Sequence, residues 1–181
     1  MAVCIELAQF PRDIDAAHTL LSGYASSLGI DLTFQSFQDE LDSLPGKYDE
    51  SQGGALLIAR AQRDIPPDQT ISSVSTPNPS SPHAPVVGCV ALRRSSNNWC
   101  EMKRLYVLPE ARGLRLGDKL VVAIIEKAKR LGYSGIRLDT LPEMIAAQRL
   151  YRRHGFVEID SYYDTPIEDT IFMGFEFTHS Y

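Results

Sequence analysis

The sequence predicts an α+β fold with three layers, α/β/α, built around a central mixed and twisted sheet of seven strands. Two observations predict it. Short runs of aliphatic residues alternate with stretches whose apolar residues recur at helical intervals, in the order strand, two helices, three strands, helix, strand, helix and two strands. The length of 181 residues and the 44% hydrophobic content are typical of one soluble globular unit. A single domain over residues 1–181 is therefore expected.

The amino-terminal part begins the sheet and adds two helices. A short first strand is predicted over residues 4–8. Spaced apolar residues over 13–28 and 34–44 predict the two helices, which end at Gly29 and at Pro45-Gly46.

Two neighbouring strands are predicted next, with an unusual segment between them. The strands are Ala55–Ala61 and Val86–Arg94, and the segment is 63–85, which holds six of the 11 prolines and five serines. Such a composition can neither bury apolar surface nor complete a sheet ladder. An exposed Pro/Ser-rich loop is predicted there rather than a domain boundary, and regulation through its serines stays open.

The second half of the chain contains the clearest helix. It follows a strand predicted over 99–108, and its apolar residues recur every four positions from Leu116 to Ala128 before Lys129, Arg130 and Gly132 end the pattern. The recurrence predicts one buried face along the whole helix.

The last third of the chain predicts the remaining elements. A short strand is expected over 134–138, and Thr140 and Glu143 have the spacing of a capping box for a helix that runs to His154. Residues 156–163 and 170–177 alternate between apolar and polar well enough to predict a closing pair of strands.

Charge and hydropathy exclude several function classes. The net charge of -5 and the isoelectric point near 5.3 oppose nucleic-acid binding, which requires a basic face. The longest wholly apolar run, residues 120–125, is far too short to cross a bilayer, and residues 1–10 do not have the pattern of a secretory signal. We expect a cytoplasmic protein without nucleic-acid or membrane partners, as a monomer or a homodimer.

Cysteines and histidines predict neither a disulfide framework nor a metal site. The three cysteines are an odd number without a CxxC pair, and the four histidines are scattered singly. Buried free thiols and ordinary histidines are the favoured interpretation, so no metal cofactor is expected.

One segment carries a pattern suited to an anionic ligand. Residues 105–120, LYVLPEARGLRLGDKL, read as a strand, a glycine-bearing loop and the start of the clearest helix. Unpaired N–H groups and the helix dipole at such a start favour phosphate or pyrophosphate, and Arg112 and Arg115 add full positive charges. The spacing matches neither a dinucleotide fingerprint nor a P-loop, and a plain connection is about as frequent.

Two linked segments resemble a known family. EMKRLYVLPEARGLRLGDKL, followed by LDTLPEMIAAQRLYRRHGF, is similar to the acyl-CoA-binding core of the GNAT superfamily of N-acetyltransferases, with its Q/R-x-x-G-x-G/A loop and its later A-x-x-L-Y-x-x-x-G-F helix. The resemblance implies a sheet splayed between its fourth and fifth strands and acetyl-CoA as the cosubstrate.

The resemblance also implies which residues contact the cofactor. Leu105 and Val107 match the strand whose main chain pairs with the pantetheine arm. Arg112 is the first residue of the loop motif, Gly117 is the last, and Arg115 stands where the family has its first glycine. The cofactor-binding residues implied are Leu105, Val107, Arg112, Gly113, Leu114, Arg115, Leu116, Gly117 and Asp118. Met144 replaces a frequent asparagine of the family, which removes one side-chain contact.

Chemistry on an amine requires a base, an acid and a donor to the oxyanion. Glu101 lies eleven positions before Arg112, the separation of the general-base glutamate in lysine-acetylating members that this sequence resembles. An outward-facing strand carboxylate paired with a Lys or Arg is an equally open interpretation. Tyr151 matches the tyrosine that similar enzymes use as general acid, and packing against the sheet is its alternative. The Val107 N–H is the implied oxyanion donor.

Other candidate residues have weaker support. Tyr162 and Tyr163 lie in a late turn where the family often closes its acceptor pocket, and they either contact a cationic acceptor or cover the sheet. Cys100 adjoins Glu101 but points to the opposite face of a strand, so packing is favoured over catalysis. His154 is expected to stabilise a helix C-terminus.

The expected function is that of an N-acetyltransferase, which moves an acetyl group from acetyl-CoA to an amine by direct attack in a ternary complex. The acceptor is a small molecule or a protein. A non-catalytic acyl-CoA-binding or regulatory module is the alternative, and a loop-helix site for another phosphate remains open only if CoA does not bind.

Overall fold

The structure is a computed structural model that describes residues 3–30, 32, 36–61 and 84–178. Its strands are β1 (Val3–Leu7), β2 (Ala55–Ala61), β3 (Val86–Arg94), β4 (Trp99–Val107), β5 (Gly135–Thr140), β6 (Val157–Glu158) and β7 (Ile171–Glu176). Its α-helices are α1 (Ile14–Leu28), α2 (Phe37–Asp42), α3 (Leu116–Arg130) and α4 (Ile145–Arg153). The predicted loop at 63–85 lies outside the described residues except for its last two.

The strands form one sheet in the order β1-β2-β3-β4-β5-β7-β6. The β4–β5 pair is parallel, and the other neighbours are antiparallel. The structure therefore confirms the predicted seven-stranded mixed sheet. β2 is buried along its whole length because helices cover both faces of the sheet.

Each face of the sheet has its own apolar core. Leu56 and Ile58 of β2 face α1 and α2, while Leu57 and Ala59 face the side of α3 and α4. This alternation along one strand follows from the period of two in β structure. The regular apolar stripe of α3 lies against the sheet as predicted, from Leu116 to Ala128.

The parallel strands β4 and β5 separate soon after they meet. They pair only from Trp99 with Gly135 to Glu101 with Arg137, although both continue for several residues. Beyond that point a bulge bends β4, because its residues 104 and 105 together oppose Val90 of β3, and Arg104 has a φ of 58°. The predicted splay between the fourth and fifth strands is therefore present.

Two predictions about the last third of the chain are wrong. Thr140 is the last residue of β5 and pairs with Ile171, so it forms no capping box, and α4 begins only after Met144. The strand predicted over 156–163 is reduced to the two residues of β6. The aromatic rings of Tyr162 and Tyr163 turn inward against Phe172, and this packing overrides the alternating pattern that predicted a strand.

Within the described ranges, no helix has the length and apolar character that crossing a membrane would require.

Candidate active site

A narrow cleft passes between β4 and β5 where the two strands have separated. It is a small cavity of about 30 Å³. Its walls are residues 102–105 of β4, residues 138–140 of β5, Tyr24 of α1, Tyr151 of α4 and Met144. Clefts where strands part are common ligand sites because main-chain groups are left unpaired there.

The amino terminus of α3 lies beside the end of β4. The first bond within this helix runs from the Lys119 N–H to the Arg115 carbonyl at 3.2 Å, so the N–H groups of Leu116, Gly117 and Asp118 have no partner inside the helix. The helix dipole adds positive potential at the same place. Such an arrangement would suit a phosphate group, and phosphate binding here stays a prediction from the sequence.

Arg115 keeps the backbone conformation of the glycine that it replaces. Its φ of 53° is left-handed, its side chain is 81% exposed, and its closest acidic partner is Asp118 at 4.0 Å. The chain therefore turns in the glycine-like way and directs the guanidinium into solvent. Gly113 precedes it with a φ of 85° and open space around its Cα, and Leu114 is also exposed. The loop leaves room for a ligand.

Asp118 joins the start of α3 to the end of α4. Its Oδ1 accepts hydrogen bonds from Arg153 at 2.9 Å and contacts the His154 ring at 3.1 Å. Partial burial acts to raise the pKa of Asp118, but the bonds from Arg153 and His154 outweigh it and hold the pKa below its ordinary value. His154 therefore pairs with a carboxylate in addition to ending its helix.

The main chain of β4 faces the cleft at Leu105 and Val107. The Leu108 N–H donates to the carbonyl of Val87 in β3 at 3.0 Å. Because successive residues of a strand direct their main-chain groups to opposite sides, the N–H and C=O of Val107 point away from β3, toward β5. Arg112 confirms the direction, because its Nε lies 3.4 Å from the Val107 carbonyl. Leu105 lies two positions earlier on the same edge.

Tyr151 reaches the cleft from α4. Only 6% of the residue is exposed, and its ring packs at 5.9 Å from that of Phe156. Burial first, and then the nearby Tyr24 and Asp139, raise the pKa of the Tyr151 phenol, which is therefore neutral and carries a proton at pH 7. The side chain packs in the core, as one of the two interpretations expected, and it also lines the cleft.

Glu101 is buried and surrounded by donors. Arg93 contacts its Oε2 through two nitrogens, each at 2.7 Å, and its Oε1 accepts from Tyr162 at 3.1 Å with Lys103 at 3.5 Å. The pairing with Arg and Lys matches one of the two interpretations, but the side chain points inward and is only 4% exposed.

Lys103 and Asp139 were not singled out by the sequence. Lys103 Nζ donates to Asp139 Oδ1 at 2.6 Å, directly across the gap between β4 and β5. The parallel register that pairs Glu101 with Arg137 places these two residues opposite each other two positions later. Glu101 and Lys103 share one face of the predicted strand, and this alternation could have indicated that Lys103 lies near the site. Asp139 could not be paired with Lys103 from the sequence, because the neighbouring strand and its register were not known.

Tyr162 and Tyr163 cover the same side of the sheet. Their rings lie 5.4 Å apart, and the Arg137 guanidinium stacks 3.9 Å from the Tyr162 ring. Burial raises the pKa of both phenols, with a further contribution from the charges of Glu101 and Asp139. The sequence placed both tyrosines near an acceptor, and the structure brings them to the carboxylates of the cleft.

Arg104 is a second feature that sequence reasoning missed. It leaves the bulge of β4, pairs with Glu40 of α2 at 2.8 Å and stacks against Tyr24 and Phe37. The contact connects both amino-terminal helices to the wall of the cleft. Cys100 lies on the opposite face, where burial raises the pKa of its thiol, so it packs rather than reacts.

Among residues 3–30, 32, 36–61 and 84–178, no group of three or more His, Cys, Asp or Glu side chains is arranged to hold a metal ion. A wider depression borders Arg93, with Arg94 and parts of the segment 43–52 in its walls. It lies apart from the α3 terminus and from Tyr151.

Comparison with known proteins gives a consistent result. A family model described as an acetyltransferase (GNAT) domain matches residues 83–158. An uncharacterized N-acetyltransferase of Schizosaccharomyces pombe is 37% identical over 175 residues, which cover 96% of this chain and 94% of the relative.

Solved structures share the fold. A GNAT-family acetyltransferase from Staphylococcus aureus Mu50 has a TM-score of 0.70 at 23% identity and covers 97% of this chain and 99% of its own. A Bacillus anthracis acetyltransferase in complex with acetyl coenzyme A has a TM-score of 0.51 at 20% identity, over 69% of this chain and 63% of its own.

Proposed function

Because the chain belongs to the GNAT family of N-acetyltransferases, we propose that it transfers an acetyl group from acetyl-CoA to an amine by direct attack in a ternary complex. The observation that carries the proposal is the cleft between β4 and β5, which has the open N-terminus of α3 at one end and Tyr151 in its wall. A donor and an acceptor can meet there from opposite faces of the sheet.

The donor side of the cleft fits acetyl-CoA. The N–H groups of Leu116, Gly117 and Asp118 are available to the pyrophosphate, and the Arg112 and Arg115 guanidinium groups are exposed beside them. The main-chain groups of Leu105 and Val107 face the gap and can pair with an extended amide-containing arm. The acetyl-CoA complex of the Bacillus anthracis structure supports this choice of donor.

Tyr151 is proposed as the general acid. In the reaction the amine nitrogen forms a bond to the acetyl carbon, the C–S bond breaks, and its electron pair stays on sulfur. Tyr151 supplies the proton that the sulfur takes up, which its neutral phenol can do at pH 7. The Val107 N–H, which points into the gap, is proposed to donate to the carbonyl oxygen.

The proton of the amine is proposed to go to the carboxylates on the opposite face. Glu101 was expected to take it, and Asp139 lines the cleft nearby with Lys103 between the two carboxylates. Tyr162 and Tyr163 close this side and supply aromatic surface that suits a cation. The proposed acceptor is therefore an amine, in a small molecule or in a protein.

The test combines binding with turnover. Acetyl-CoA is titrated into the protein in a calorimeter, with ATP and NAD as controls, and CoA release is then followed with a thiol reagent in the presence of a panel of primary amines. We expect selective binding of acetyl-CoA and CoA release that depends on the amine.

Two other outcomes are informative. Selective binding without CoA release for any amine would favour a non-catalytic acyl-CoA-binding module. Absence of acetyl-CoA binding by a folded sample would contradict the proposed function.

A further inference from the structure

Glu101 and Asp139 differ in how fully their oxygens are engaged. Arg93, Lys103 and the Tyr162 hydroxyl surround the Glu101 carboxylate, which is only 4% exposed. Within the described part of the chain, the walls of the cleft include Asp139 but not Glu101. A base must come within hydrogen-bond distance of the proton that it takes, so the position of Asp139 is the better one.

Asp139 faces the reacting side of the cleft from β5. Its side chain is 14% exposed, and its charge contributes to the raised pKa of the phenols of Tyr24, Tyr151, Tyr162 and Tyr163, after the larger effect of burial. Asp139 also lines the same cavity as Tyr151, the tyrosine proposed as the acid. Proton donor and proton acceptor share a single small opening.

Lys103 lies between the two carboxylates. Its Nζ is 2.6 Å from Asp139 Oδ1 and 3.5 Å from Glu101 Oε1. A small movement of this ammonium group toward Glu101 releases Asp139 while keeping the lysine paired. Buried charges are tolerated only when they are paired, so such an exchange lets a second cation enter at low cost.

We propose that Asp139 receives the acceptor as its ammonium ion and takes its proton, while Lys103 moves to Glu101 to make room. The inference rests on the proposed function and names the form in which the amine binds. An amine with a pKa near 10.4 is almost entirely cationic at pH 7, so a site for the cation uses the abundant form.

The step balances without any further reactant. One N–H proton of the ammonium ion passes to the Asp139 carboxylate and on to solvent, which frees the nitrogen lone pair to attack the acetyl carbon. A second N–H proton then passes to Asp139, and the sulfur leaves with its electron pair and takes the Tyr151 proton. The proton on Asp139 then returns to the Tyr151 phenolate directly or through solvent. Glu101 acts through Lys103 and is a positioning residue in this scheme.

Two kinds of probe test the inference. Ethylamine, tyramine and putrescine are cationic at pH 8, whereas hydroxylamine is neutral there and does not have to lose a proton before attack. CoA release from acetyl-CoA is measured at pH 8 for each probe with the unsubstituted protein, Asp139→Asn and Glu101→Gln. Asp139→Asn should lower kcat/KM for the cationic amines by about 100-fold or more, the usual contribution of a general base, and should affect hydroxylamine much less. Glu101→Gln should affect both kinds of probe alike.

A Lys103→Met variant adds a test in which the expected result is tighter binding of the amine rather than a loss of activity. Removal of the internal counter-ion should leave Asp139 open to the incoming ammonium and lower the KM for the cationic amines. If this variant does not fold, the double variant Asp139→Asn with Lys103→Met keeps the pair neutral, and it should show the same selective loss as Asp139→Asn alone.

Opposite results would overturn the inference. If Glu101→Gln lowers kcat/KM only for the cationic amines, and Asp139→Asn lowers it equally for all probes, the base is Glu101. Acetyl-CoA affinity, measured in parallel, should stay unchanged in the Asp139 and Glu101 variants. If the unsubstituted protein binds acetyl-CoA but releases CoA with no probe, the proposed function fails, and the inference fails with it.

Discussion

Two clusters of charged side chains among the described residues look alike and differ in their surroundings. The α1 cluster consists of Glu6, Arg12, Asp13 and Arg60. The cleft cluster consists of Arg93, Glu101, Lys103 and Asp139. Both link neighbouring elements through ion pairs of about 2.7 Å. They differ in where their remaining hydrogen bonds go.

Protein groups take up the remaining bonds of the α1 cluster. Arg60 also donates to the Ala84 carbonyl, and the Gln9 N–H donates to Asp13, whose side chain is only 2% exposed. In the cleft cluster, by contrast, Lys103 and Asp139 line a cavity. Ion pairs of the same kind therefore stabilise the fold in the α1 cluster, whereas in the cleft cluster two of the charged side chains border a cavity.

The largest expected effect is the loss of Asp13. Asp13→Asn should lower the free energy of unfolding by about 3 kcal/mol at pH 7, because the buried Arg60 charge loses one of its two carboxylate partners and keeps only Glu6. Burial acts to raise the pKa of Asp13, but its bonds with Arg12, Gln9 and Arg60 outweigh burial and lower it. The stabilisation is therefore present above the ordinary carboxyl pKa and is lost as the pH falls through the lowered value.

Urea unfolding from pH 7 down to acid checks this prediction. The difference between the two proteins should shrink on acidification. Asp15→Asn is the matched control, since Asp15 lies two residues on and is exposed, and it should change stability little. A fall in kcat/KM at unchanged stability in Asp13→Asn would show that the α1 cluster is not merely structural.

A change in the wall of the cleft should appear in the rate rather than in stability. Tyr151→Phe is expected to lower kcat about 100-fold, since a positioned general acid contributes at least that much, with little change in acetyl-CoA affinity. Tyr133→Phe is the control, because its buried hydroxyl donates to the Gly53 carbonyl, away from the cleft. An equal loss of rate and of acetyl-CoA affinity in Tyr151→Phe would indicate a packing role instead.

The features that the sequence predicted are contiguous in the chain. β2 and β3 have the predicted bounds, and α3 begins at the predicted Leu116, because each depends on a local pattern of apolar residues. The loop proposed to bind an anion could be recognised for the same reason, since residues 112–118 follow one another in the sequence.

The cleft cluster was not predictable in this way. Lys103 and Asp139 meet only because β4 and β5 are parallel with one particular register. The positions of Tyr162 and Tyr163 depend on aromatic packing against Phe172, which an alternating pattern does not reveal. Glu101 was found through resemblance, and its burial and partners required the fold.

A smaller effect is expected from the uncharged wall of the cleft. The Thr140 hydroxyl is buried and has no hydrogen-bond partner among the described residues. Thr140→Val replaces it by a methyl group of similar shape and should raise the free energy of unfolding by about 1 kcal/mol. Thr140→Ser keeps the hydroxyl and should give no such gain. Thermal or urea unfolding measures both, and destabilisation by valine would mean that the hydroxyl is bonded in the free protein.

The smallest effect is expected at an exposed charge outside both clusters. Arg115 holds a left-handed conformation, which costs an L-residue roughly 1–2 kcal/mol. Replacement by glycine removes this cost, but part of the gain is lost because glycine has more freedom in the unfolded chain. Arg115→Gly should therefore be more stable than Arg115→Ala by up to about 1 kcal/mol. Both variants remove the same guanidinium and should weaken acetyl-CoA binding equally, by a few-fold. Calorimetric titration and urea unfolding separate the two contributions. Unequal affinities would show that the backbone conformation, and not the charge alone, determines how the loop holds its ligand.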